Sequence, residues 1–370
     1  MKRVLVWQWG RRGAGPRIAV ELARAFRQLP DTSAVLSLST GAEILAGPVA
    51  PVCELPVATY TSAIGFIGRW LAAPILIVSL IRQLRRLRPD LAICAMPGPL
   101  DLLMATALAW TRTRLVVIVH DADSHPGERA PLLMWLQRRL ARRATVLVAL
   151  STHVAQRLRD QGLARVGQPV LVLRHPPLAF GAPPPLPFAH AGVPRLLFFG
   201  RLLAYKGLDL LSESLSLLGD LELEVRVVGN GPESAALAAL RAQKSVTVEN
   251  RWVAETEIGG IIAWADGLVL PYREASQSGA AAAAIAACRW VVATRVGGLT
   301  EQLADEPLAV LCDPDAASLA AALRGLFQSK PVLPASIAGP DAARPDAAWQ
   351  EFATALVGCL DREAPGARPA

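Results

Sequence analysis

The chain alternates short apolar runs with helical patterns twice over, and a proline-dense stretch separates the two series. In the first half, Val4–Trp9, Ala34–Leu38, Leu91–Ala95, Leu115–Val119 and Val146–Leu150 read as strands. A helix is predicted from Pro16, because Ile18, Leu22, Phe26 and Leu29 recur near helical spacing. In the second half, strands are predicted at Leu196–Phe199, Leu223–Val228, Val246–Glu249, Gly267–Leu270 and Val291–Thr294. Helices fall between them, over Gly207–Leu218, from Pro232, from Glu255 and over Gly279–Ala287. Such alternation predicts parallel sheets covered by helices, since a parallel connection needs a crossover long enough to hold one. Between the two series, HPPLAFGAPPPLPFAHAGVP (His175–Pro194) removes amide donors and fixes φ so often that neither helix nor central strand continues.

The fold class read from this pattern is α/β, with two Rossmann-like domains facing each other across a cleft. Residues 1–180 form the first domain and 194–335 the second. A further proline-rich stretch, Lys330–Pro345, precedes Trp349, Phe352, Leu356 and Leu360, which share one side of a terminal helix over 345–362 expected to cross back to the first domain. A length of 370 residues suits two domains, because single cores stop growing near ~250–300 residues. The last residues, Pro365–Ala370, are expected to fray. Open α/β sheets bind ligands at the C-terminal ends of their strands, so the chemistry is expected between the domains.

Lys and Arg (38) exceed Asp and Glu (31), and the resulting +7 suits an anionic partner. Aromatics make up only 5%, with no helix-turn-helix, zinc-finger or RNP-like pattern, which argues against nucleic acid. Cys53, Cys94, Cys288, Cys312 and Cys359 are scattered without C-x-x-C spacing, as reduced thiols of a cytoplasmic protein would be. Trp70–Ile81 is uncharged and is followed by Arg82, Arg85, Arg86 and Arg88. It is too short to span a bilayer, and it suits docking on an anionic membrane surface, here the inner face.

The chemistry concentrates at strand ends. LLFFGRLLAYKG (Leu196–Gly207) closes an apolar strand with glycine and then offers Arg201 and Lys206, a forked donor and a mobile point charge able to neutralise a diphosphate. Ser276, Gln277, Ser278 and Gly279 follow another strand and open an alanine-rich helix, whose free amides favour an anion. Glu274 just ahead of them is a candidate acceptor for sugar hydroxyls. Asn230, in the turn Val228–Glu233, and the backbone at Arg251 and Val253 are candidate contacts to the donor and its base. The loop Gly10–Pro16 lacks a full G-x-G-x-x-G register, which disfavours a nicotinamide oxidoreductase. His120 ends a strand and reads as facing the donor sugar. Asp121 and Asp123 have the D-x-D spacing of metal-binding pairs, but two cations at the diphosphate make a metal redundant, and no metal or cofactor is expected.

Together, GRLLAYKG, VVGNGPE, Asn250–Ala265, ADGLVLPYREASQSG and TRVGGLTE resemble the family-4 (group 1) glycosyltransferases with the GT-B fold. The resemblance implies retaining transfer from a nucleotide-sugar to a saccharide or lipid-linked saccharide acceptor, without a required metal. By it, Arg201 and Lys206 bind the diphosphate, Glu274 and His120 the transferred sugar, and Gly13 or Gly15 a phosphate through close backbone approach. Family members often carry a second glutamate eight positions after the first. Position 282 is alanine here, which makes Glu301 the substitute ribose contact and raises the alternative of a non-catalytic binding subunit.

Overall fold

The computed structural model describes residues 1–123, 131–334, 337 and 344–362. Ser124 and His125, part of the Lys330–Pro345 stretch and the Pro365–Ala370 tail lie outside the described residues. The first sheet contains β1 (Lys2–Gln8), β2 (Thr32–Leu38), β3 (Leu91–Cys94), β4 (Arg114–Val119), β5 (Val146–Ala149) and β6 (Val170–Val172), all parallel, in the order β2-β1-β3-β4-β5-β6. Its helices are α1 (Ala14–Gln28), α2 (Ala63–Leu71), α3 (Ala73–Leu87), α4 (Asp101–Thr111), α5 (Pro131–Arg143) and α6 (Thr152–Asp160).

The second sheet contains β7 (Arg195–Phe199), β8 (Glu224–Gly229), β9 (Val246–Asn250), β10 (Gly267–Leu270), β11 (Trp290–Thr294) and β12 (Ala309–Cys312), also parallel, in the order β12-β11-β10-β7-β8-β9. Its helices are α7 (Leu208–Ser216), α8 (Ala235–Arg241), α9 (Glu255–Trp264), α10 (Gly279–Ala286), α11 (Gly297–Leu303) and α12 (Ala316–Ser329), and α13 (Arg344–Arg362) ends the described chain. Central strands such as β3, β5 and β10 are buried at every residue, as parallel strands covered on both faces must be.

Several elements depart from the pattern read in the sequence. The edge strands β6 and β12 are short and only partly buried, so they carry little periodic signal. The helix expected from Pro232 begins at Ala235, because Ser234 caps it by accepting from the Leu237 amide at 3.3 Å. The apolar run Trp70–Ile81 is divided at Ala72 between α2 and α3, whose axes meet at 68°, with Pro74 in the first turn of α3. No single described helix is long and apolar enough to cross a membrane.

From Leu173 to Pro194 the chain has no regular secondary structure, yet each end of this segment is anchored. Leu178 is fully buried and donates its amide to the Ala282 carbonyl at 3.0 Å. Asp266, buried at the base of β10, accepts from His190 Nε2 at 3.0 Å and the Arg195 amide at 2.8 Å, which ties the segment's end to the second sheet. Helix α13 packs on α1: Trp349, Phe352 and Leu356 enter the first domain's core, Trp349 Nε1 donates to the Pro177 carbonyl at 2.9 Å, and Arg24 pairs with Asp346 at 3.0 Å.

Candidate active site between the two sheets

A cavity of about 840 Å³ lies between the domains. Its walls come from chain leaving the strand ends where strand order reverses. Gly13 and Gly15 follow β1, Met96 and Pro97 follow β3, Gly200 and Arg201 follow β7, and Tyr272, Gln277 and Ser278 follow β10. These are the two switch points, the positions at which doubly wound sheets leave a crevice.

Arg201 and Lys206 both line the cavity. Lys206 closes a short 3₁₀ turn, and Gly207 beside it takes φ +69°. A Cβ at Gly207 would stand 1.7 Å from the Pro271 carbonyl oxygen, so glycine alone permits the approach that brings Lys206 under the β10 loop. The ammonium of Lys206 lies 3.6 Å from the Tyr272 ring centroid and 5.0 Å from that of Tyr205. Arg201 Nη2 donates to Tyr205 Oη at 2.7 Å. Burial pushes the Tyr205 phenol up to about 12, so it stays protonated and offers the two cations a neutral common support.

Opposite them stands the start of α10. Ser278 accepts from the Ala281 amide at 3.2 Å, and Gln302 grips Ser278 from both sides, accepting from its amide at 2.8 Å and donating to its carbonyl at 3.1 Å. Gly279 and Ala280 line the cavity at a helix start, where the helix provides no acceptor for their amides and its dipole is positive. Gln277 also lines the cavity, and its Oε1 is buried without a hydrogen-bond partner among the described residues.

On the facing domain, His120 is buried at the end of β4 with Nε2 3.0 Å from the Ala95 carbonyl. A carbonyl only accepts, so Nε2 carries the proton and Nδ1 is an acceptor, buried and unpartnered among the described residues. Burial lowers the His120 pKa and keeps the ring neutral at pH 7. His175 packs edge-on at 6.0 Å and shares the cavity wall. Gly13, at φ +83°, opens α1 with nothing within 4 Å of the position a Cβ would take, and Gln8 packs beneath Gly15. Arg17 binds Glu255 at 2.6 Å across the cleft, and Arg12 stacks 5.4 Å from the Trp252 ring, so the two walls are tied at one end.

Asn230, Arg251 and Val253 line the same cavity. Asn250 braces their turn through both Gly231 backbone groups, at 3.1 and 3.0 Å. The Arg251 guanidinium is held by Glu257 at 2.8 Å and Glu249 at 3.2 Å, which leaves its backbone and stem to face a ligand.

Three of the expected contact residues lie off the cavity wall. Glu274 is exposed and is not part of the cavity wall, because the loop turns Tyr272 and Ala275 inward in its place. Ser276 also lies outside the wall, its carbonyl accepting from Ser151 Oγ at 3.1 Å. Glu301 accepts from the amides of Thr152 and His153 at 2.6 and 2.9 Å, so its carboxylate holds the start of α6. Position 282 itself faces away from the cavity: Ala282 is fully buried in the first domain's core cluster, while Gly279, Ala280 and Ala283 face the cavity. Asp121 and Asp123 both line the cavity, but Asp123 is held by Arg157 at 2.8 Å and by Gln161, and no group of three or more His, Cys, Asp or Glu is placed to hold a metal among the described residues.

Sequence reading missed Tyr205, Tyr272, His175 and Gln302, and gave Asn250 only as the start of a stretch next to the base. Only Tyr205 had a local signal, lying between the two cations it supports.

Two family models match the chain, Glycosyltransferase Family 4 over residues 15–176 and Glycosyl transferases group 1 over residues 193–329. No curated protein sequence matches it. Among solved structures, the apo lipopolysaccharide outer core galactosyltransferase WaaB superposes with a TM-score of 0.65 at 13% identity, covering 97% of this chain and 100% of that one. HepE of Anabaena with UDP-glucose gives 0.65 at 16% identity, covering 98% of both chains. Sucrose-phosphate synthase of Thermosynechococcus elongatus gives 0.64 at 14%, covering 98% and 99%. At these identities the structural likeness speaks for the fold, and the sequence models speak for the family. The first model covers the first sheet from β2 to β6, the second covers the whole second sheet, and the gap between them falls on the proline-rich connection, so the chain belongs to the group 1, family 4 glycosyltransferases of the GT-B fold.

Proposed function

We propose that this glycosyltransferase moves a sugar from a nucleoside-diphosphate sugar to a hydroxyl of a saccharide or lipid-linked saccharide, with retention and without a metal ion, in polysaccharide or glycolipid assembly on the cytoplasmic side. The observation that carries the reading is the convergence of Arg201, Lys206 and the start of α10 on one end of a cavity built at both switch points. UDP and UDP-glucose occupy HepE, which shares the fold, and this supports a nucleotide-sugar donor here. In the reaction, the bond from the anomeric carbon to the diphosphate breaks as the acceptor oxygen bonds to that carbon on the same face. The acceptor proton passes to the departing phosphate oxygen. The two cations and the amides of Gly279 and Ala280 stabilise the charge that collects on the leaving group. Their positive charge does the work that a divalent cation does elsewhere.

Thermal-shift measurement with UDP, GDP, ADP and TDP and their sugars tests the donor class. A nucleotide at a hundred times its Kd adds ~2.7 kcal/mol and raises the Tm, with the shift intact in EDTA. A shift with NAD(H) and none with any nucleoside diphosphate would refute the reading.

Gln277 lines the cavity and its buried Oε1 has no hydrogen-bond partner among the described residues, which makes it a stronger candidate for a sugar contact than the exposed Glu274. Gln277→Ala is expected to cut kcat/KM more than tenfold, a loss of ~1.4 kcal/mol or more. Glu274→Ala, on the exposed rim, is expected to stay within about twofold. The reverse ranking in a donor-consumption assay would return the role to the carboxylate.

A further inference from the structure

We infer that the α2–α3 hairpin is a docking surface for an anionic lipid bilayer, lying in the plane of the interface with its outer face immersed. The hairpin has two faces of different fate. Leu80 and Leu84 of α3 are buried in the first domain's core, with Phe66 and Trp70 of α2 packed against the same cluster. The outer face of α2 carries Ile64, Ile67 and Leu71, and it continues along α3 through Ile75 and Val78. Ile64, Leu71 and Ile75 are 84%, 79% and 76% exposed, and α2 contains no buried residue at all. Aliphatic side chains at helical spacing with nothing over them form a contiguous stripe of the kind that marks an interaction surface.

The exposed face of α3 changes character along its length. After Ile75 and Val78 the next outward positions are Arg82, Arg85 and Arg86, with Arg88 just beyond the helix. No Asp or Glu occurs from Thr61 to Pro89, and α5, which packs beside α4 next to α3, has none either. Aliphatics beside unopposed arginines match a bilayer, whose acyl boundary takes the first and whose anionic headgroups take the second. A second copy of this chain is a poor match, because a twofold contact would set these arginines against one another. Spanning is also a poor match, since the 68° bend and the core-facing leucines bind the inner side to the domain.

The surface has a consequence for catalysis that rests on the lipid-linked acceptor. Leu133 and Met134 of α5 line the cavity, and neighbouring Leu132 and Trp135 are exposed. Apolar side chains of α5 therefore stand at the cavity wall, where a membrane-borne acceptor would arrive.

The test is co-flotation of the full chain with vesicles of phosphatidylethanolamine alone or with 30 mol% phosphatidylglycerol, with no substrate present, so that loss of the transfer reading leaves the result intact. Binding is expected to the anionic vesicles and to weaken at least tenfold in Ile64→Asp/Ile75→Asp. It should weaken comparably, and lose its salt dependence, in Arg82→Glu/Arg85→Glu/Arg86→Glu. These positions are solvent-facing, so the Tm and turnover on a soluble acceptor stay at wild-type levels. Absence of binding to either vesicle, binding unaffected by both variants, or a dimer in sedimentation that Ile75→Asp dissociates would each overturn the inference.

Discussion

Lys206→Ala is expected to lower kcat by about a hundredfold or more, the scale seen when one preorganised donor to a developing oxyanion is removed. The ammonium is held over Tyr272 at 3.6 Å and near Tyr205 at 5.0 Å, so it meets the departing diphosphate already positioned. A flexible surface lysine would have to be ordered during the reaction; this one is ordered beforehand by Gly207 and two rings. The kinetic split locates the role. If the charge acts mainly on the leaving group, kcat and kcat/KM fall together, whereas a rise in KM alone would mean that Lys206 holds donor and transition state equally. Arginine is not equivalent, because its planar fork spreads the charge that the compact ammonium concentrates at one point beside two rings, and Lys206→Arg should recover only part of the rate. The variant also gives up cation–π attraction worth ~0.5–2 kcal/mol, so the assay belongs well below its measured Tm. A rate within threefold of wild type would remove Lys206 from the chemistry.

The two sheets and the paired cations were legible because their signals are local. Apolar runs flanked by helical periodicity report strands and helices within a few residues, and Arg201 and Lys206 lie at a strand end marked by glycine. The placement of the remaining residues depended on contacts distant in sequence. Glu274 sits in the right stretch of chain, but the loop around it is set by Ser278 held by Gln302, 24 residues further on, and by Tyr272 buried under Lys206. Glu301 lies next to Gln302, yet its carboxylate reaches across the cleft to α6, whose packing against α11 no spacing rule reveals. Register on α10 was equally hidden. Counting eight residues on from Glu274 led to Ala282, while the wall of the cavity is formed by Ala280 and Ala283.

Stability against pH offers the second large effect, through two buried groups that oppose each other. Asp101, the first residue of α4, accepts from the Gly98 amide at 2.7 Å, Trp7 Nε1 at 3.1 Å and Cys94 Sγ at 3.2 Å. Even so, burial raises its pKa from an ordinary 3.8 to about 6. A raised folded value means that the native state holds a proton which the unfolded chain has released. This contribution to stability is present below about 3.8 and is lost as pH rises through about 6, amounting to ~3 kcal/mol. His175 runs the other way. Burial first, and the neighbouring His120 second, lower it from 6.5 to about 4, so its contribution is present above 6.5 and is lost as pH falls through about 4, again by ~3 kcal/mol. Between pH 7 and 4 the two nearly cancel. Asp101→Asn keeps one acceptor oxygen, enough for Trp7 or for Gly98 but not for both, since they reach different carboxyl oxygens, and the cost of the lost bond does not depend on pH. Because the titration is removed, its stability should fall ~3 kcal/mol more steeply than wild type on acidification over that range. Taking the difference between the two proteins, by urea unfolding at each pH, cancels the remaining carboxylates and histidines, because they titrate alike in both. Parallel curves for wild type and Asp101→Asn would mean that Asp101 ionises in the folded protein at its ordinary pH, and the opposition with His175 would fall with it.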